Sequence, residues 1–208
     1  MTRGRSRRDI LTAILAAGVV TGLGACTAPP PPPARKFYLS PLDTVPSGLE
    51  KRDWTLVIEP PQTVPALRTK RIAQVIADNE FDYYANAEWG DLAPDMFQAT
   101  LIRSFERANA VAAVGNERQR MRPDYMLETT LAPFYAIGAV GSAPKVRVGL
   151  DARLIRARGR ELVASTTMSE ERTAKGAEIE AIIEAFDSAS HAVIESLIRW
   201  TVAQASGA

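Results

Sequence analysis

Lys145-Val146-Arg147-Val148-Gly149-Leu150-Asp151-Ala152-Arg153-Leu154 alternates apolar and charged residues with a period of two. Val146, Val148, Leu150, Ala152 and Leu154 point one way and Lys145, Arg147, Asp151 and Arg153 the other, which predicts a strand with one buried face and one wet face. Such a strand belongs to a sheet covered on one side. Upstream, Pro123-Asp124 opens another strand in which Tyr125, Leu127, Thr129 and Leu131 share a face, and Gly138 and Gly141 bracket the turn between the two. Downstream, Arg158-Gly159-Arg160 turns the chain, and Glu161 to Met168 returns antiparallel.

Further from this hairpin, Lys36-Phe37-Tyr38-Leu39 and Trp54-Thr55-Leu56-Val57-Ile58, the latter closed by Pro60-Pro61, read as strands. Arg71 to Ile76 and Glu80 to Tyr84 flank Asp78-Asn79 as a tight hairpin. The period then changes. From Asp91 to Ala108, Phe97, Leu101, Phe105 and Ala108 share one helical face opposite Asp95, Arg103, Glu106 and Arg107, with Pro94 in the first turn where its missing donor costs nothing. A long amphipathic helix from Glu178 to about Ala203 carries Ile179, Ile182, Ile183, Phe186, Val193, Leu197 and Thr201 along one stripe. The elements predict an α+β fold, an antiparallel β-sheet with two main helices packed on one face.

Ahead of this domain, Arg3, Arg5, Arg7 and Arg8 precede an apolar run from Ile10 to Leu23 and then small residues, the order of a secretory signal. Leu23-Gly24-Ala25-Cys26 resembles the lipobox of bacterial lipoproteins. That resemblance implies cleavage before Cys26, acylation of its thiol and acylation of the new amino terminus. More than one chain is what stable anchoring requires. Ile10 to Leu23 falls short of the roughly 20 apolar residues of a spanning helix, so the expected anchor is lipid. Ser6-Arg7-Arg8-Asp9-Ile10-Leu11 looks like a twin-arginine signal, which leaves two export routes open. Pro29 to Pro33 form a stiff polyproline II tether, and Cys26 to Lys36 reach on the order of 30 Å. Residues 1–25 are thus expected to be a cleaved signal peptide, 26–35 the lipidated cysteine and tether, and 36–204 a single domain.

Of 25 basic and 24 acidic side chains, four arginines and Asp9 precede Cys26, which leaves 21 and 23 and a net charge near −2. This balance lacks the electrostatic footprint of a nucleic-acid binder. Cys26 is the sole cysteine, so once acylated it leaves neither a disulfide nor a thiolate metal site. No Gly-x-Ser-x-Gly elbow, phosphate-binding loop, Gly-x-Gly-x-x-Gly or His-Glu-x-x-His is present. The only histidine, His191, falls with Glu184, Asp187, Ser188 and Glu195 on the polar side of the last helix and reads as a solvated imidazole rather than a base. Glu170 and Glu171 point apart and read as solvated charges. No catalytic residue, metal ligand or cofactor site is expected. Tyr83, Tyr84 and Trp89 read as buried packing in preference to an exposed patch. Arg68, Lys70 and Arg71 form a basic group that is either a solvated face or a contact for a partner or phosphate headgroups.

Five pieces in order carry a family resemblance: Phe37-Tyr38-Leu39 soon after the lipobox, Ala66-Leu67-Arg68-Thr69-Lys70-Arg71-Ile72-Ala73, Tyr83-Tyr84-Ala85-Asn86-Ala87-Glu88-Trp89, Asp124-Tyr125-x-Leu127 with Phe134, and Ala185-Phe186-Asp187 with Trp200. The chain resembles the auxiliary lipoprotein component of ABC-type transport systems, the PqiC-like proteins that accompany MCE-domain lipid transporters. It departs from the family pattern at Arg68, where an aspartate is expected, and at Tyr135, where an acidic residue is common. The resemblance implies a periplasm-facing lipoprotein at the outer membrane, working with an MCE-type substrate-binding protein, a permease and an ATPase to move lipids between membranes, with phospholipid among the partners to be expected. It also implies that the ATPase chemistry resides in other subunits. Thr27 in place of aspartate after the cysteine is an outer-membrane address under the enteric sorting rule. Two other readings stay open: a domain that itself carries lipid in a cleft between helices and sheet, and a cell-envelope or lipopolysaccharide-assembly lipoprotein unrelated to MCE transport.

Overall fold

The computed structural model describes residues 33–44, 46–77, 80–139 and 141–206. Pro33–Ala208 form one compact unit. Cys26, the signal region and most of the tether lie outside the described residues, as do Asp78 and Asn79 of the expected hairpin turn. The strands are β1 (Arg35–Phe37), β2 (Arg52–Ile58), β3 (Arg71–Ala77), β4 (Glu80–Trp89), β5 (Val111–Gly115), β6 (Tyr125–Ile137), β7 (Lys145–Arg156) and β8 (Glu161–Thr173), and the helices are α1 (Ala93–Ala108) and α2 (Ile179–Ser206).

β6 is the axis of the sheet. One of its edges pairs antiparallel with β7 from Tyr125↔Arg156 to Ile137↔Lys145, and β7 pairs antiparallel with β8. The other edge is shared by two strands. Leu56 to Ile58 of β2 run parallel to Tyr125 to Leu127, and Gln74-Val75 of β3 run parallel to Ala136-Ile137. Gln62 bridges Thr130 between them. Residues 56–75 therefore follow β6 as one interrupted strand, and the sheet forks there: β5 lies outside β2, whereas β4 and then β1 extend beyond β3.

The α+β class with two helices is as read from the sequence, but the sheet is mixed: β1–β4, β2–β5, β2–β6 and β3–β6 are parallel pairs. β2 and β3 point the same way because the start of the link between them continues along β6, with Gln62 N–H donating to the Thr129 carbonyl and Leu131 N–H to the Gln62 carbonyl. β5 is reached from β4 through the α1 crossover, the kind of connection that parallel topology requires.

Alternate residues of β6 and β7 sort cleanly. Tyr125, Leu127, Thr129 and Leu131 face inward, opposite Arg156, Leu154, Ala152 and Leu150. A bulge at Ala132-Pro133 then restores the phase, so that Phe134 and Ala136 also face inward. Without the extra residue, the period of two would turn Phe134 outward. Gly149, the one break in the charged side of the opening hairpin, lies against this bulge, and a Cβ there would sit 2.6 Å from Pro133 Cδ.

The helices cover the inner face. α1 starts at Ala93-Pro94 with Asp95 in its first turn and ends at Asn109, whose φ of 47° places it in the left-handed region. Thr100 and Ser104 are buried and donate to the carbonyls of Met96 and Thr100, so their hydroxyls stay satisfied. α2 has 28 residues, about 42 Å at 1.5 Å per residue. Trp89, Phe97, Phe134 and Phe186 meet between helices and sheet, with centroids of 5.2 Å for Trp89–Phe186 and 5.0 Å for Phe134–Phe186. All four are essentially inaccessible to solvent.

Candidate functional site

Tyr38 to Leu42 carry the chain from β1 across the helix layer, and side chains from both helices hold this arm. Leu39 and Leu42 enter the core. Ser40 N–H donates to Asp187 Oδ1 at 2.9 Å and its hydroxyl donates to Asp187 Oδ2 at 2.9 Å. One helical turn on, His191 Nε2 lies 3.0 Å from the Ser40 carbonyl oxygen and 3.2 Å from its hydroxyl oxygen. From α1, Ser104 accepts from Leu42 N–H at 3.1 Å and Arg107 donates to the Leu42 carbonyl at 3.1 Å. Arg35 pairs with Glu180 at 2.6 Å in the first turn of α2. Tyr38 lies flat on Gly90, where any Cβ would collide with its ring.

Serine, histidine and aspartate meet here with wiring that opposes nucleophilic catalysis. A catalytic serine gives its proton to the imidazole, and the carboxylate orients the opposite ring nitrogen. Here the serine proton goes to the carboxylate, and an Nε2–H donated to the Ser40 carbonyl leaves that nitrogen no free lone pair. His191 is thus half-buried and clasped, not the freely solvated imidazole expected from its polar helical face. The group is a clasp between the arm and α2.

Among the described residues no helix covers the outer face of the sheet, and that face is banded. Its middle holds an open polar trough of about 620 Å³ lined by Gln62, Glu128, Thr130, Asp151, Arg153 and Thr167. Asp151 accepts from the Thr167 hydroxyl at 2.6 Å, and Glu128 pairs with Arg160 at 3.1 Å. At one flank, burial, with Glu128 nearby, holds the Glu59 carboxyl above its ordinary pKa. Toward the end of β6 the band turns aromatic. Phe81 makes edge contacts with Tyr83 and Tyr135 at 5.6 and 6.1 Å, and the Arg71 guanidinium sits 3.8 Å over the Tyr83 ring.

The residues singled out from sequence scatter. Arg68, Lys70 and Arg71 do not converge: Arg68 ends the 3-10 turn at Pro65–Leu67, Lys70 pairs with Asp91 at 3.7 Å, and Arg71 stacks on Tyr83. Trp89 is core, as expected. Tyr83 and Tyr84 are half-buried and, as adjacent strand residues, point to opposite faces. Burial pushes the Tyr84 hydroxyl up to about 12. Among the described residues no cluster of histidine, cysteine, aspartate or glutamate is arranged to hold a metal, and no helix is long and apolar enough to cross a membrane. Ser40 and Asp187 escape a sequence reading because 147 residues separate them. Phe81 and Tyr135 carry a local signal, large apolar residues in phase with the wet face of their strands, and Tyr135 is also a departure from the family pattern.

The chain is 30% identical over 149 residues to protein bll6063 of Bradyrhizobium diazoefficiens, an alignment covering 71% of this chain and 39% of that protein. It thus spans about two fifths of the length of the curated relative it matches. The crystal structure of protein XCC0632 from Xanthomonas campestris superposes with a TM-score of 0.77 at 25% identity, covering 84% of this chain and 98% of that one. A second crystal structure shares the fold, with a TM-score of 0.63 at 13% identity over 80% of this chain and 97% of the other. The model of the ABC-type transport auxiliary lipoprotein component matches residues 37–197, from the end of β1 well into α2, and the chain belongs to that family.

Proposed function

We propose that this protein is a lipid-anchored, non-enzymatic auxiliary component of an MCE-type ABC system that moves lipid between the membranes of a bacterial envelope. Acyl chains on Cys26 hold it at the outer membrane, facing the periplasm, and residues 1–25 are removed on export. The family match over residues 37–197 carries this reading. The family is one of auxiliary transport components, not of enzymes, and the Ser40 clasp is wired against proton transfer from the serine.

The clasp also suits an anchored protein. Any pull on the tether enters through β1 and Tyr38 to Leu42, and side chains of both helices grip that arm, so the load spreads into the core. Scaffolding is favoured over lipid carriage by the packing between sheet and helices. That layer is filled by Trp89, Phe97, Phe134 and Phe186, whereas an acyl chain requires an open apolar cleft.

Two experiments test the proposal. Affinity purification of the full chain from its native membranes recovers an MCE-domain protein together with a permease and an ATPase. Recovery of a lipopolysaccharide-assembly or cell-wall complex in their place refutes the transport role. Cys26→Ser yields an unprocessed or soluble form. Equal membrane partitioning of variant and wild type, or an intact mass without fatty acid, refutes the anchor.

A further inference from the structure

We propose that the aromatic band on the outer face of the sheet is a second contact with the membrane, docking the domain on the anionic headgroups of a phospholipid bilayer. The proposal rests on the lipid-anchored reading above and assigns a surface to it. Strand register builds the band. Val75 lies opposite Phe81 on one side and Ile137 on the other, Ala73 lies opposite Tyr83, and Tyr135 and Ile137 lie opposite Arg147 and Lys145. Phe81 is 38% exposed at the centre of this platform, on a face that no helix among the described residues covers. Elsewhere on that face the trough is lined by threonines, serine, glutamine and charged residues.

Cations frame the rings. Arg71 lies over Tyr83, and Lys145 and Arg147 flank the opposite side, sharing the single carboxylate of Glu171 at 3.0 Å each. Against Arg71, Lys145 and Arg147 stand two carboxylates, Glu171 and, across the β3–β4 pair from Arg71, Glu88, and the net positive charge complements an anionic surface. Aromatic rings bordered by lysine and arginine match the headgroup region, where the rings take the depth of the interface and each cation is drawn to anionic lipid.

The position of the chain's entry agrees. β1 is parallel to β4 and pairs with Ala87–Trp89, so going backward from Arg35 the described chain heads toward the end of β4 that carries Phe81. The stretch from Cys26 to Pro33 reaches at most about 25 Å when fully extended. An acylated Cys26 therefore keeps this end of the sheet within reach of the bilayer. The first contact makes the second intramolecular, so a platform of weak intrinsic affinity suffices.

The test uses the unit from Pro33 onward, which holds the whole sheet, both helices and their core but not Cys26. Cosedimentation is measured with vesicles of phosphatidylglycerol and phosphatidylcholine and with vesicles of phosphatidylcholine alone. Wild type binds the anionic vesicles, less so at high salt. Phe81→Ser combined with Tyr135→Ser lowers that binding on the order of tenfold, and Arg71→Gln about fivefold. Lys175→Gln, an exposed charge paired with α2 at Glu184, leaves it unchanged. Circular dichroism confirms that each variant is folded, and Arg71→Gln alone carries the test if the double variant is not.

No binding to anionic vesicles, or equal loss from Lys175→Gln, overturns the proposal. So does a concentration-dependent dimer in sedimentation velocity that Phe81→Ser abolishes, which would assign the platform to a second copy. Failure of the anchor reading is registered separately, by the intact mass at Cys26, a residue this unit lacks.

Discussion

The two faces of β6 and β7 are made by alternate residues of the same strands, and they obey different rules. Inward, Leu127, Leu131, Phe134, Val148, Leu150 and Leu154 lose essentially all contact with water and meet the helices. Outward, Glu128, Thr130, Tyr135, Arg147, Asp151 and Arg153 meet no helix among the described residues, and the partners on this side are surface ion pairs, a single hydrogen bond and the Phe81 ring against Tyr135. Burial of apolar area stabilises by roughly 25 cal/mol per Å², whereas exposed ion pairs contribute about 0–1 kcal/mol. Stability is therefore concentrated on the inner face. The rings and charges of the outer face are under little demand from stability.

That asymmetry is strongest at Phe186. Its ring is fully buried against Trp89 and Phe134, so Phe186→Ala is expected to destabilise the domain by about 3–5 kcal/mol in denaturant unfolding. An unchanged midpoint would mean that the inner face does not hold the fold.

The clasp is intermediate, since it is built of polar groups that are partly buried. Asp187→Ala removes the acceptor for two Ser40 donors and is expected to cost about 1–3 kcal/mol. The loss should be local. Amide exchange should accelerate at Ser40 and Leu42 far more than in β6 and β7, and uniform acceleration would show that the clasp is part of the core.

The smallest effect belongs to the outer face. Glu59 has a folded pKa above its unfolded value, so the native state binds more protons through the carboxylate range and loses stability as pH rises through the folded pKa. Glu59→Gln removes that cost, along with the repulsion from Glu128. The variant is expected to melt above wild type at pH 7, and the gain should fade as pH drops through the carboxylate range. A gain that persists in acid would trace the effect to packing. On the same face, Glu171 is held below its ordinary pKa by hydrogen bonds from Lys145 and Arg147. Its small contribution runs the other way, present at neutral pH and lost in acid.

Much of the fold was legible because the signals are local. Period two in Tyr125 to Leu131 and Lys145 to Leu154 assigned the two faces correctly, and the stripe from Ile182 to Leu197 assigned the buried side of α2. β5 was missed: Val111-Ala112-Ala113-Val114-Gly115 is too short and too poor in large residues to stand out, and it becomes a strand by pairing with β2. The period of two that marks Tyr125, Leu127, Thr129 and Leu131 stops at the Ala132-Pro133 bulge, although the strand itself runs on to Ile137.

By itself, the amino-acid sequence determined the class of the fold, the helices, the faces of the long hairpin and the family, since each is written in spacings within a few turns or pleats. The tertiary structure alone decided the parallel half of the sheet, the clasp of Ser40 by Asp187 and His191, and the gathering of Phe81, Tyr83 and Tyr135 onto one platform. These join residues about 50 to 150 positions apart, where no local periodicity operates. Which distant partners meet is settled only when the core closes and fixes the register of β6 against its neighbours.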